Sequence, residues 1–115
     1  MDEHQIIKWL LKGDVAIQYQ VHRDLLSRDK MDLQARIAQE GWGKQFLDNR
    51  KPNGHWGDGF YQPKWISNHY TLLDLRNLNL SPSNPIAQQV IEQTLNRPPQ
   101  RCLCKRHVFE LCLLF

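Results

Sequence analysis

Three glycines fall within six residues at Gly54-His55-Trp56-Gly57-Asp58-Gly59. This spacing limits the chain more than any other part of the sequence. Glycines set so closely allow φ > 0 where a Cβ would penalise it, so a large Trp held among them belongs to a tight, defined corner and not to a linker. Tyr61 and Pro63 follow, and from Lys64 to Leu78 the set Trp65, Ile66, His69, Tyr70, Leu72, Leu73, Leu75 and Leu78 has helical spacing. That segment is apolar around much of its circumference, which predicts the most buried helix of the chain.

The remaining segments read as helical support. Ile6, Ile7, Trp9, Leu10 and Leu11 form one face of a helix from Glu3 to Leu11, ended by Lys12-Gly13. Asp14 caps a second helix over Val15 to Ser27, with Val15, Tyr19, His22, Leu25 and Leu26 near one side. A third runs from Met31 to Glu40 on a seam of Leu33, Ile37 and Ala38. Gly41-Trp42-Gly43 is expected to interrupt it before helix resumes from Lys44 to Arg50. Beyond the turn-rich Asn79 to Pro85, a last helix spans Ile86 to Leu95 with Ile86, Val90, Ile91 and Leu95 inward. The expected class is all-α, built from helical hairpins with no strand.

At 115 residues the chain has the size of one small domain. A net charge of +3 falls short of the Lys/Arg stripe a nucleic-acid binder carries, so no nucleic-acid partner is expected. No apolar run is long enough to cross a bilayer, and Asp2 and Glu3 stand where a signal peptide would be basic; the expected location is the cytoplasm. All three cysteines, Cys102, Cys104 and Cys112, lie in the last fourteen residues, so no spaced disulfide framework holds the domain.

Two segments carry a resemblance: Ile7-Lys8-Trp9-Leu10-Leu11-Lys12-Gly13-Asp14 with Gln18-Tyr19-Gln20, and the stretch from Gly54-His55-Trp56-Gly57 through Trp65-Ile66-Ser67-Asn68-His69-Tyr70 to Leu75. Over residues 5 to 96 the chain resembles the squalene cyclase and prenyltransferase superfamily, whose members build an α/α toroid. Gly54-x-Trp56 is similar to the Gly-x-Trp core of that family's repeats, where the Trp stacks to tie neighbouring helices. The resemblance implies that Trp56, Tyr61, Trp65 and His69 line an aromatic cavity able to hold an isoprenoid-like apolar ligand in a full-length relative. The same set also suits packing beside the corner of Gly54, Gly57 and Gly59.

The family's chemistry does not carry over. Its cyclases use an Asp-x-Asp-Asp acid, and none occurs here. Its protein prenyltransferases hold zinc with Asp, Cys and His, and no cysteine precedes position 102. His69 and Asp74 are five apart and do not share a helical face. Cys102-x-Cys104-x-x-His107 with Cys112 lacks the paired spacing of a zinc site. No metal, no cofactor and no catalytic residue is therefore assigned.

A toroid needs roughly twice as many helices, since each hairpin buries its face only on neighbours. The expectation is thus an incomplete toroid, with residues 1–96 its N-terminal part and 97–115 an irregular tail. A one-nucleotide shift of permitted codons for Arg101 to Phe115 reads Asp-Val-Cys-Val-Asn-Gly-Met-Phe-Leu-Asn-Tyr-Ala-Ser-Tyr, which looks like the next segment of the same family. On that ground the tail is expected to be out-of-frame sequence, in a truncated, inactive chain that self-associates through its exposed apolar edge. The alternative function is a small helical protein-interaction module.

Overall fold

The computed structural model describes residues 2–59 and 61–95. Among them lie six helices and no strand: α1 (Glu3–Leu10), α2 (Val15–Asp24), α3 (Met31–Arg36), α4 (Gly41–Asp48), α5 (Asn68–Asn77) and α6 (Pro85–Leu95). The all-α expectation holds. The expected tail and its Cys102, Cys104, His107 and Cys112 lie outside the described residues.

Four of the six helix starts have a side-chain acceptor. Asp2 and Gln5 form a reciprocal capping box, the Gln5 N–H donating to Asp2 Oδ1 at 2.8 Å and the Asp2 N–H to Gln5 Oε1 at 3.3 Å. Asn84 Oδ1 accepts from the Ile86 and Ala87 N–H groups at the head of α6. Asp14 serves two helices. Its Oδ1 accepts the Ala16 N–H of α2 at 2.9 Å, and its Oδ2 accepts the Trp42 N–H of α4, also at 2.9 Å.

That second bond explains a correction. Gly41-Trp42-Gly43 was expected to interrupt a helix, yet these residues are the first turn of α4. Gly41 turns the chain at φ +62° against the Asp14 carboxylate, and Gly43 is buried on the backbone of Ile37. The break comes earlier, since α3 ends at Arg36. Helix α2 also stops short of Ser27, which adopts φ +51°, and this leaves Leu25 exposed instead of inward.

The core gathers Val15, Ala16 and Tyr19 of α2, Leu33 and Ile37, Leu47 of α4, Trp56, Leu72 and Leu75 of α5, Leu80, and Ala87 and Val90 of α6. Each fully buried aliphatic side chain contributes about 1.5–3 kcal/mol. Tyr61, Ile86 and Ile91 pack on this cluster from its margin. Helix α1 buries none of its residues, and Ile6 and Trp9 stay exposed.

The end of α5 is closed by a left-handed cap. Asn79, at φ +64°, donates its N–H to the Arg76 carbonyl at 2.8 Å, and the Leu80 N–H reaches back to the Leu75 carbonyl at 3.0 Å. Two amides from other helices hold this cap. Gln20 Nε2 donates to the Asn77 carbonyl (2.9 Å) and to Asn79 Oδ1 (2.7 Å), while Gln34 Nε2 donates to the Asn79 carbonyl (3.2 Å). Asn79→Ala should cost about 2 kcal/mol, roughly half from φ > 0 and half from the lost hydrogen bond; Asn79→Gly, free of the first term, should cost about 1 kcal/mol in urea unfolding.

Candidate functional site

The corner sits between α4 and α5. Gly54 and Gly57 adopt φ +88° and +66°, and a Cβ on Gly57 would lie 3.0 Å from both the Gln62 and Ile66 carbonyl oxygens. Both positions need glycine, as the spacing suggested. Gly59 acts through its backbone: its carbonyl accepts the Asn68 N–H at the start of α5.

Inside the corner a buried polar chain ties loop to helix. The Trp56 N–H donates to Asn68 Oδ1 at 2.7 Å, so the other face of that amide, Nδ2, meets His55 Nδ1, also at 2.7 Å. Asn68 Nδ2 can only donate, which makes His55 Nδ1 the acceptor and puts the ring proton on Nε2. Asn68 is wholly buried and His55 and Trp56 nearly so. The Trp56 indole N–H donates to the Phe46 carbonyl at 2.7 Å, which fastens the corner to α4. A buried indole with its one donor satisfied is a packing element, and Trp56 belongs to the core.

The other candidates form a separate group on the outer side of α5. The Tyr61 ring lies 5.6 Å from those of His69 and Tyr70, and His69 meets Tyr70 edge-on at 4.9 Å. The Trp65 ring meets that of Tyr70 at 4.8 Å, tilted by 45°, and carries Lys64 Nζ over its own face. Tyr61, Trp65 and His69 are thus grouped around Tyr70, which had been counted only as a helix position, while Trp56 lies apart from them in the core. The Tyr61 and Tyr70 hydroxyls share a hydrogen bond of 3.1 Å. That bond, with burial second, raises the Tyr70 phenol above its ordinary value.

A second correction concerns Trp65. The helix expected from Lys64 begins only at Asn68, because Trp65 adopts φ +76° and its side chain is 68% exposed. Ile66 is exposed with it. The bend lies where the Ile66 carbonyl closes on Gly57, so loop geometry overrides the helical spacing of these two apolar residues.

Two concavities lie apart from the corner, neither lined by a residue of it. One of about 390 Å³ is lined by Ile17, Trp42, Phe46 and Leu78 with Gln20, Asp74 and Asn77. Burial raises the Asp74 carboxyl above its ordinary value. The other, of about 360 Å³, is polar and lies at the α5 cap. Among the described residues no three His, Cys, Asp or Glu side chains are placed to hold a metal ion. No helix among them is long and apolar enough to cross a membrane. Compared with known family models, curated proteins and solved structures, the chain matches none.

Proposed function

We propose that this chain is a non-catalytic helical unit of the α/α-toroid type, whose apolar edge packs on a further helical hairpin. The observation that carries the reading is α1, an amphipathic helix that buries none of its residues. Trp9 is 66% exposed there, and Trp42, beside the groove between α2 and α4, is 59% exposed. Large exposed apolar groups of this kind mark an interaction surface. The Trp56 tie between corner, α4 and α5 is the role the resemblance assigns to a Gly-x-Trp repeat. An isoprenoid-like ligand would then belong to a closed ring of hairpins, with Tyr61, Trp65 and His69 among its lining.

A small protein-interaction module is the second reading. It is favoured by the polar rim of Gln20, Asp74 and Asn77 on the same groove, which suits a chemically distinct partner. Sedimentation velocity separates the two. The toroid unit should self-associate with rising concentration, and Trp9→Ser with Trp42→Ser should weaken that association about tenfold, by removing two aromatic anchors. A monomer at every concentration that also unfolds cooperatively would favour the module. Turnover of a polyprenyl diphosphate by the chain would overturn the absence of catalysis.

A further inference from the structure

The polar pocket at the end of α5 has an unusual balance of hydrogen-bonding groups. Its lining includes Arg23, Arg76, Gln20, Gln34, Asn77 and Asn79, with no Asp or Glu in its wall. A helix C-terminus ordinarily offers bare carbonyls, which would repel an anion. Here they are spent. The Asp74, Leu75 and Arg76 carbonyls accept from the N–H groups of Leu78, Leu80 and Asn79, and those of Asn77 and Asn79 accept from Gln20 and Gln34.

At Asn79 and Arg76, what remains is donors. Because Asn79 Oδ1 faces Gln20, the Asn79 amide is fixed with Nδ2 turned the other way, and Nδ2 meets no acceptor among the described residues. Arg76 is half-buried and makes no ion pair or side-chain hydrogen bond among them. Arg23 is held by Asp24 through Nε (2.6 Å) and Nη2 (2.9 Å) and lies over the Tyr19 ring, which orients the guanidinium at the pocket rim. A guanidinium and a carboxamide donor converging where no carboxylate lines the wall match an oxyanion.

We propose that this pocket binds a small molecule through a carboxylate or phosphate group, with Arg76 as the principal contact, Asn79 Nδ2 as the directional donor and Arg23 at the rim. A volume of about 360 Å³ accommodates more than the bare anion, so the ligand class is a small acidic metabolite. The assignment is independent of the toroid reading. It needs only the α2, α3 and α5 frame.

The test uses the full chain, titrated separately with inorganic phosphate and with acetate at constant ionic strength. The side-chain N–H signals of Arg76 and Asn79 are followed by NMR. Saturable shifts at both groups are expected in the millimolar range. Saturation by phosphate alone identifies a phosphoryl ligand, and by acetate alone a carboxylate. Arg76→Gln should weaken binding about tenfold by removing a charge-assisted fork. If that variant loses its folded spectrum, R76K carries the test, since it keeps the charge and stem and should weaken binding by about threefold. Shifts that never saturate, or that are equal in wild type and the folded variant, would reduce the effect to screening and overturn the site.

Discussion

Trp56→Ala is expected to destabilise the protein by about 3–5 kcal/mol, while Trp65→Ala, nine residues away in the same loop, stays within about 0.5 kcal/mol. The two tryptophans look alike in sequence, each in or beside the glycine corner. Trp56 is 4% exposed, sits in the core and donates its backbone N–H to the buried Asn68 amide and its indole N–H to the part-buried Phe46 carbonyl. Truncation removes a large buried surface and also leaves the Phe46 carbonyl without its donor, a loss worth about 1 kcal/mol of the total. Trp56→Phe isolates that part and should cost about 1–2 kcal/mol. Trp65 packs chiefly on Tyr70 with its indole in solvent, so its removal opens no cavity. Equal losses for the two alanine variants in urea unfolding would sink the division of the corner into a core tryptophan and a surface one.

Gly43→Ala is expected to cost about 3 kcal/mol, against the direction that helix propensity alone gives. Inside a helix, Ala is favoured over Gly by about 1 kcal/mol. At this position, however, a Cβ would lie 2.2 Å from the Ile37 carbonyl oxygen and 2.9 Å from Ile37 Cγ2. The obstacle is backbone with a buried side chain behind it, and neither can swing away as the tip of a lysine would. Relief requires α4 to move off the segment after α3, loosening the contacts of Ile37 and Leu47, so the overpacking cost exceeds the propensity gain. In a chain of this size such a loss corresponds to a fall of roughly 12–20 °C in the unfolding midpoint. A rise in the midpoint would show that the α3–α4 junction is slack.

Much of the helical order was legible in the sequence because its causes are local. The Asp14 cap, the stop near Gly13, Pro85 in the first turn of α6 and the buried face of α5 each follow from residues within one or two turns of the feature. The errors share the opposite origin. Gly41 and Gly43 read as a break because glycine weakens a helix, but both are set by groups distant in sequence or outside their helix, the Asp14 carboxylate and the Ile37 backbone. Trp65 and Ile66 read as helix because their spacing continues that of α5, and spacing carries no information about a loop folding back on Gly57.

The candidate site divides along the same line. Glycine spacing announced the corner, and apolar residue type announced its aromatic group. The amide clamp of Gln20 and Gln34 on Asn79 bridges 59 and 45 residues of sequence. Amides follow no periodicity and belong to no motif. The one local sign was an asparagine just past a helix end, a residue that tolerates the left-handed region.

The shared carboxylate of Asp14 has a consequence for how this sequence can change over generations. A Cβ at position 41 would fall 1.9 Å from Asp14 Oδ2, so any side chain there displaces the group that caps both α2 and α4. Replacing Asp14 first removes both caps, and replacing Gly41 first creates the clash. Each single step is therefore harmful, whereas the paired exchange removes the collision and leaves only the caps to be restored by other means. Positions 14 and 41 should consequently drift as a pair in descendants of this chain, with aspartate at the first met by glycine at the second.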